Sequence, residues 1–200
     1  MRALIMAGGR GSRMNTSSEK PMMEILGKKM IEIIIENLKK TDEIVDIYVS
    51  ITKNTPKTKE YLRNYHSDIT IIETKGISYH DDLKESIKTE NLYFPLLVLP
   101  ADMPLVQSEF LKQIIQVYRR TGKESLSIFI KTEKRTLHGS EMFELDGEKV
   151  VPSGINIIDG SFIDLKEIPQ FNLLLEYHPR FINVNTEEDL ILAQEYLKSQ

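Results

Sequence analysis

Gly8, Gly9 and Gly11 fall within four positions, directly after the apolar run RALI of residues 2–5, and Arg10, Arg13 and Lys20 stand among and beyond them. Backbone free of side chains at this density curls into a concave row of N–H groups that holds phosphate oxygens, and flanking cations neutralise the charge. A plain strand-to-helix turn needs neither three glycines nor three cations. Spacing excludes two familiar phosphate loops. A P-loop places its lysine right after the last glycine, whereas Lys20 lies well beyond Gly11 and is followed by Pro21. A dinucleotide fingerprint requires a third glycine where this chain has Met14.

Two further stretches carry side chains of chemical use. Asp102 follows the apolar run PLLVLP of residues 95–100, and the carboxyl end of a buried strand is where open α/β sheets bind ligands. A hard oxygen ligand at that point suits Mg²⁺ bridging phosphates. Gly154 opens the run GINIID after Val-Pro-Ser, which reads either as close backbone approach by a ligand, with Asn156 facing it, or as a bulge glycine beside an edge asparagine. His80-Asp81-Asp82 reads as a helix start rather than a metal cluster, because adjacent residues point in different directions and Asp favours a first turn.

Composition narrows what such a site serves. The 200 residues are 40% hydrophobic and 28% charged, the proportions of an ordinary globular domain. A chain of this length forms one domain over residues 1–200 and buries roughly 70% of its unfolded surface. No apolar run reaches a membrane span, and none forms a secretory signal, so a cytoplasmic enzyme with no membrane partner is expected. The absence of cysteine excludes disulfides, thiol catalysis and thiolate metal sites. A net charge of −4 argues against nucleic-acid binding, yet residues 1–30 hold six basic and two acidic side chains. That local excess points to a small anionic ligand near the start of the chain.

The elements that position these residues alternate. Strands are predicted over 2–6, 46–51, 69–73, 95–100, 125–130, 154–159 and 180–184, and helices over 29–40, 56–66, 80–90, 107–120 and 187–198. Several strands are continuously apolar, as in a parallel sheet covered on both faces. Pro56 after Asn54-Thr55 reads as a first-turn proline behind a cap, and Thr186 before Glu-Glu-Asp as a cap with acids in the first turn. The fold class is therefore α/β, a doubly wound, mostly parallel sheet. Residues 131–153 interrupt the alternation as a small hairpin excursion turning at Asp146-Gly147. The run FNLLLEY of residues 171–177 is read as core.

The stretch LIMAGGRGSRM followed by EKP resembles the signature of the nucleotidyltransferase superfamily, whose sheet is Rossmann-like. Within it, NTPKTKEY (54–61), YHDDLKES (79–86), VPSGINII (151–158) and INVNTEEDLILAQ (182–194) resemble the archaeal GTP:adenosylcobinamide-phosphate guanylyltransferases. ADMPL (101–105) is similar instead to the molybdopterin guanylyltransferase version of that motif. The resemblance implies a cobalamin-biosynthesis transferase that moves GMP from GTP to adenosylcobinamide phosphate, with a homodimer unsurprising. It implies that Ala7, Gly8, Gly9, Gly11, Ser12 and Arg13 wrap the triphosphate and that Lys20 sits by the α-phosphate. Asn54 and Thr55 would approach the base, Asp102 would hold Mg²⁺, and Gly154 and Asn156 would meet the acceptor. Lys20, Arg13 and Asp102 would be the catalytic set. Transfer to molybdopterin, and a nucleotide-binding domain without catalysis, are the alternatives.

Overall fold

The computed structural model describes residues 1–9, 19–132 and 142–199. Arg10, Gly11, Ser12 and Arg13 therefore lie outside the described residues. The strands are β1 (Arg2–Met6), β2 (Glu24–Ile25), β3 (Lys28–Lys29), β4 (Asp46–Ile51), β5 (Thr70–Glu73), β6 (Pro95–Pro100), β7 (Ser125–Lys131), β8 (Phe143–Leu145), β9 (Glu148–Asp159) and β10 (Gln170–Leu175). The helices are α1 (Met30–Lys39), α2 (Pro56–Tyr65), α3 (Tyr79–Thr89), α4 (Ser108–Thr121) and α5 (Glu187–Lys198).

The main sheet runs β10-β7-β9-β6-β1-β4-β5, with β8 paired to β9. The pairs β6-β1, β1-β4, β4-β5 and β7-β10 are parallel, whereas β9 runs antiparallel between β6 and β7. The continuous apolar character of the central strands follows from their position. Leu4, Ile5, Leu97 and Val98 are fully buried because helices cover both faces. On one face, α1 buries Met30, Ile31, Ile34, Ile35 and Leu38, a stripe at helical spacing. On the other face, Leu83 and Ile87 of α3 pack with Leu4, Leu96 and Val98.

The hairpin read at Asp146-Gly147 joins β8 to β9, with φ of 53° and 80° at the two turn residues. Its second strand does not stay apart from the sheet: Val150, Val151 and Pro152 pair with β7 before the chain reaches Asn156. A bulge separates the two stretches, since Ser127 pairs with Asn156 but Phe129 with Pro152.

Three parts of the sequence reading are corrected. The predicted strand at 180–184 is absent; a 3₁₀ turn at Pro179–Phe181 occupies its start, its first turn capped by the His178 side chain. Beyond it the Val184 N–H bonds the Asp102 carbonyl at 2.8 Å instead of entering a ladder. The run at 171–177 forms edge strand β10 beside β7, with Phe171 exposed rather than core. A short hairpin of β2 and β3 precedes α1, turning at Leu26-Gly27.

Candidate active site

Strands β1, β4 and β6 end side by side, with Met6 opposite both Ser50 and Pro100. The backbone continues each strand by one further link, Ala7 N–H to the Ser50 carbonyl at 2.8 Å and Ala101 N–H to the Met6 carbonyl at 3.0 Å. A cavity of about 490 Å³ opens over these carboxyl ends, within the range of small-molecule sites. Ala7, Gly8 and Gly9 line it together with Lys20, Asn54, Tyr79, Asp82 and Asp102.

One wall is built by close packing. A Cβ added to Gly8 would fall 2.3 Å from Thr52 Cγ2, and the Thr52 hydroxyl donates to the Gly8 carbonyl at 2.8 Å. The loop after β4 and the chain at Gly8 are thus held face to face. Asn54 belongs to that wall. Thr55 does not: it is fully buried, and its hydroxyl donates to the Thr52 carbonyl at 3.2 Å while accepting from the Thr52 N–H at 3.2 Å.

Lys20 is the centre of the charged wall. Its ammonium group donates to Asp102 Oδ2 at 2.9 Å and to the Asn185 side-chain oxygen. Asn183 Nδ2 donates to Asp102 Oδ1 at 3.2 Å. The backbone bond from Val184 to Asp102 is what brings the flanking asparagines here. The α5 cap fixes Asn185 in turn, because the Asp189 carboxylate accepts the N–H groups of Asn185 and Thr186, both at 2.9 Å. Thr186 completes the capping box.

The approach of Lys20 is held by Glu19. Its carboxylate accepts the backbone N–H groups of Lys57 and Thr58, each at 2.7 Å, and the Thr58 hydroxyl at 2.6 Å. The N-terminus of α2 is therefore capped by a residue far away in sequence rather than by Thr55, whose side chain caps nothing there. An anion at a helix N-terminus gains from both the free N–H groups and the helix dipole.

Tyr79 forms another side of the cavity. Its surface is 40% exposed, yet burial of the hydroxyl end, with the Asp102 charge adding to it, pushes the phenol up to about 12. Asn156 is the hydrogen-bonding neighbour of that hydroxyl. Asn156 and Gly154 are not in the cavity lining but stand one layer behind it. Gly154 has a φ of +86°, and a Cβ there would meet Pro100 Cγ at 3.3 Å. The bulge reading of this glycine therefore has its own structural cause.

His80-Asp81-Asp82 starts α3 as its composition suggested, and Asp81 takes the Ser78 hydroxyl at 2.7 Å while Ser78 caps the Asp81 N–H. Asp82, one residue on, points to the cavity instead. Asn183, Glu19, Tyr79 and Asp82 are the site residues that sequence reasoning did not single out.

Of the two carboxylates that line the cavity, Asp102 is the one with side-chain amides beside it as a donor set for a divalent cation. Mg²⁺ is commonly held in such sites by one or two carboxylates together with substrate phosphates and water, so these hard oxygen donors fit it. Among the described residues no cluster of three or more His, Asp or Glu is grouped to hold a metal by itself. Among them, too, no helix is long and apolar enough to cross a membrane.

Residues 3–144 match the MobA-like NTP transferase domain. The chain belongs to that family. It is a nucleotidyltransferase. It is 32% identical, over 99% of its length and 98% of the relative's, to the adenosylcobinamide-phosphate guanylyltransferase of Methanocaldococcus jannaschii. A probable molybdenum cofactor guanylyltransferase of Natranaerobius thermophilus is 29% identical over 98% of this chain and 95% of its own. Among solved structures, the 4-diphosphocytidyl-2C-methyl-D-erythritol synthase of Anaerococcus prevotii superposes with a TM-score of 0.71 at 18% identity, covering 98% of this chain and 95% of that one. A CMP:2-keto-3-deoxy-manno-octonic acid synthetase does so at 0.72 and 13% identity, covering 100% and 99%. These likenesses carry the fold: a nucleotidyltransferase sheet whose strand ends form the cavity just described.

Proposed function

We propose that this nucleotidyltransferase moves GMP from GTP to adenosylcobinamide phosphate, giving adenosylcobinamide-GDP and pyrophosphate. Identity to the Methanocaldococcus guanylyltransferase along practically the whole of both chains is the observation that carries this reading. The acceptor's phosphate oxygen attacks the α-phosphorus of GTP in line. A new P–O bond forms there, the bond to the β-phosphate bridging oxygen breaks, and pyrophosphate leaves with that electron pair. A phosphate monoester is already largely dianionic near neutral pH, so no general base is required.

The protein's part is positioning and charge neutralisation. The backbone at Gly8 and Gly9, just beyond Ala7 at the end of β1, is assigned to phosphate oxygens; Gly11, Ser12 and Arg13, assigned to the same triphosphate, lie outside the described residues. Lys20 is assigned to the α-phosphate, where its ammonium group offsets the charge that gathers as the pentacovalent arrangement forms. Asp102 and the Asn183/Asn185 amides hold Lys20 ready beforehand, so little reorganisation is needed at the moment of transfer. Mg²⁺, with Asp102 as its protein ligand, supplies further neutralisation of the phosphates when bound. Asn156 reaches the cavity through Tyr79, and Gly154 through Pro100, on the side assigned to the acceptor.

A second reading, molybdopterin as acceptor, has two observations in its favour: the ADMPL run at 101–105 and the Natranaerobius relative. Incubation of the protein with GTP, Mg²⁺ and each acceptor in turn, following pyrophosphate, separates them. Turnover with adenosylcobinamide phosphate supports the first reading; turnover with molybdopterin alone replaces it by the second.

A further inference from the structure

We infer that Asp82 is the group that selects guanine, an assignment that rests on reading the cavity as a GTP site. Asp82 sits in the first turn of α3, is only 8% exposed and lines the cavity. Its Oδ1 accepts the Gly76 N–H at 2.8 Å, which fixes the carboxylate plane. Oδ2 has no hydrogen-bond donor among the described residues, and no described Lys, Arg or His makes an ion pair with the group. Lys84, two residues on in sequence, pairs instead with Asp164 at 2.6 Å, and Lys75 pairs with Glu85 at 3.6 Å.

The neighbouring hydroxyls are already committed. Ser86 donates to Ser50 at 3.0 Å, and Ser50 meets Thr74 at 3.4 Å. Among the described residues Asp82 therefore has no cationic partner, and its almost buried carboxylate faces a cavity read as the site of a polyanion. The cavity's other carboxylate, Asp102, is compensated by Lys20. An uncompensated carboxylate cannot face the triphosphate, and desolvating it without donors is costly. It must face the part of the ligand that carries neutral N–H donors.

Among the nucleobases only guanine presents two adjacent donors, N1–H and the N2 amine, on one edge. Adenine and cytosine set an amine beside a ring-nitrogen acceptor, and uracil sets one N–H between two carbonyls. A carboxylate is acceptor-only with about four lone-pair sites, so Asp82 serves Gly76 and both guanine donors at once. The three rival bases would each bring a lone pair against the carboxylate. A bidentate base pair of this kind discriminates by about 1–3 kcal/mol, on the order of 10- to 100-fold in affinity.

Asp82→Asn tests this within an isosteric side chain. The amide oxygen still accepts from Gly76, and an NH₂ group now meets the base. Dissociation constants of wild type and Asp82→Asn are measured by calorimetry for GTP, ITP, XTP, ATP and CTP. Inosine lacks the N2 amine and xanthine carries a carbonyl at C2. Wild type should bind in the order GTP, ITP, XTP. In Asp82→Asn the GTP-to-XTP preference should fall at least tenfold, because the new amine donates to the C2 carbonyl. Ratios within one variant do not depend on how much of it is folded. A wild type that prefers GTP, with ratios unchanged in Asp82→Asn, overturns the Asp82 assignment alone. A wild type that binds ATP or CTP as tightly as GTP overturns the guanylyl reading, and the assignment with it.

Discussion

Lys20 and Asp102, 82 residues apart in the chain, meet at 2.9 Å beside the cavity. Neither is deeply buried; the two side chains are 14% and 19% exposed. The contact joins the 3₁₀ turn that opens at Lys20 to the loop after β6. In the proposed mechanism this pairing holds the Lys20 ammonium group ready for the negative charge that accumulates on the α-phosphate. Lys20→Ala should lower the transfer rate about 100-fold while GTP affinity changes less than tenfold, because the charge counts most in the transition state. Single-turnover rates set against GTP-induced melting shifts give both quantities. A Lys20→Ala protein working at the wild-type rate would place the α-phosphate elsewhere.

Glu19 makes a separable contribution. Its carboxylate caps α2 through Lys57 and Thr58 and so anchors the residue next to Lys20. Glu19→Ala should destabilise the fold by about 1–2 kcal/mol through loss of that cap. It should also slow transfer with GTP binding largely kept, since Lys20 loses its anchor. Glu19→Gln, which retains an acceptor, should recover part of both. Urea midpoints and single-turnover rates of the two variants decide; an unmoved midpoint in Glu19→Ala contradicts the cap.

Gly8 is constrained from the protein side as well as the ligand side. Its missing Cβ would collide with Thr52 Cγ2. Gly8→Ala should cost about 1–3 kcal/mol by overpacking, and Thr52→Ser, which removes Cγ2 but keeps the hydroxyl bond to the Gly8 carbonyl, should return most of it. A double-mutant cycle on melting without nucleotide should give a coupling of about 1 kcal/mol or more. An equal loss in both backgrounds means the glycine is required for another reason.

Tyr79 sets a pH expectation. Burial first, and then the Asp102 charge, raise its phenol to about 12 from an ordinary value of 10.0. A raised folded value means the neutral phenol is favoured, so its stability contribution is complete below pH 10 and is lost as pH rises towards 12. Between pH 6 and 9 Tyr79 therefore stays a neutral hydroxyl. The pH–rate profile of Tyr79→Phe should keep the wild-type shape over that interval. A limb that disappears in Tyr79→Phe would show that the phenol titrates there after all.

The parts of this architecture carried by local pattern were legible in the sequence. The five helices among the described residues start and end within about a residue of the predicted bounds, and Thr186 with Asp189 caps α5 as its sequence suggested, although Thr55 does not cap α2. The central strands β1, β4 and β6 read clearly because burial on both faces leaves no alternation to interpret. Strand β10 did not, because an edge strand with Phe171 outward and Leu173 inward resembles a loosely apolar loop. The segment at 180–184 misled in the opposite sense: its β-branched residues pack against Ile25, but its Val184 N–H goes to Asp102 instead of into a ladder. Cavity-lining residues were visible where a motif marked them, as at Gly8, Lys20 and Asp102. Glu19 and Asp82 carry no such mark, because each owes its role to a partner brought near only by folding, Thr58 for one and the cavity for the other.

Donor and acceptor are both read out in a single assay. Purified protein is given GTP, Mg²⁺ and adenosylcobinamide phosphate, with pyrophosphate followed continuously and the cobinamide product separated by chromatography. Stoichiometric release of pyrophosphate with formation of adenosylcobinamide-GDP, and far slower release when ATP, CTP or UTP replaces GTP, is the result predicted. Release that requires molybdopterin in place of the cobinamide phosphate, or that proceeds equally with all four nucleotides, would contradict it.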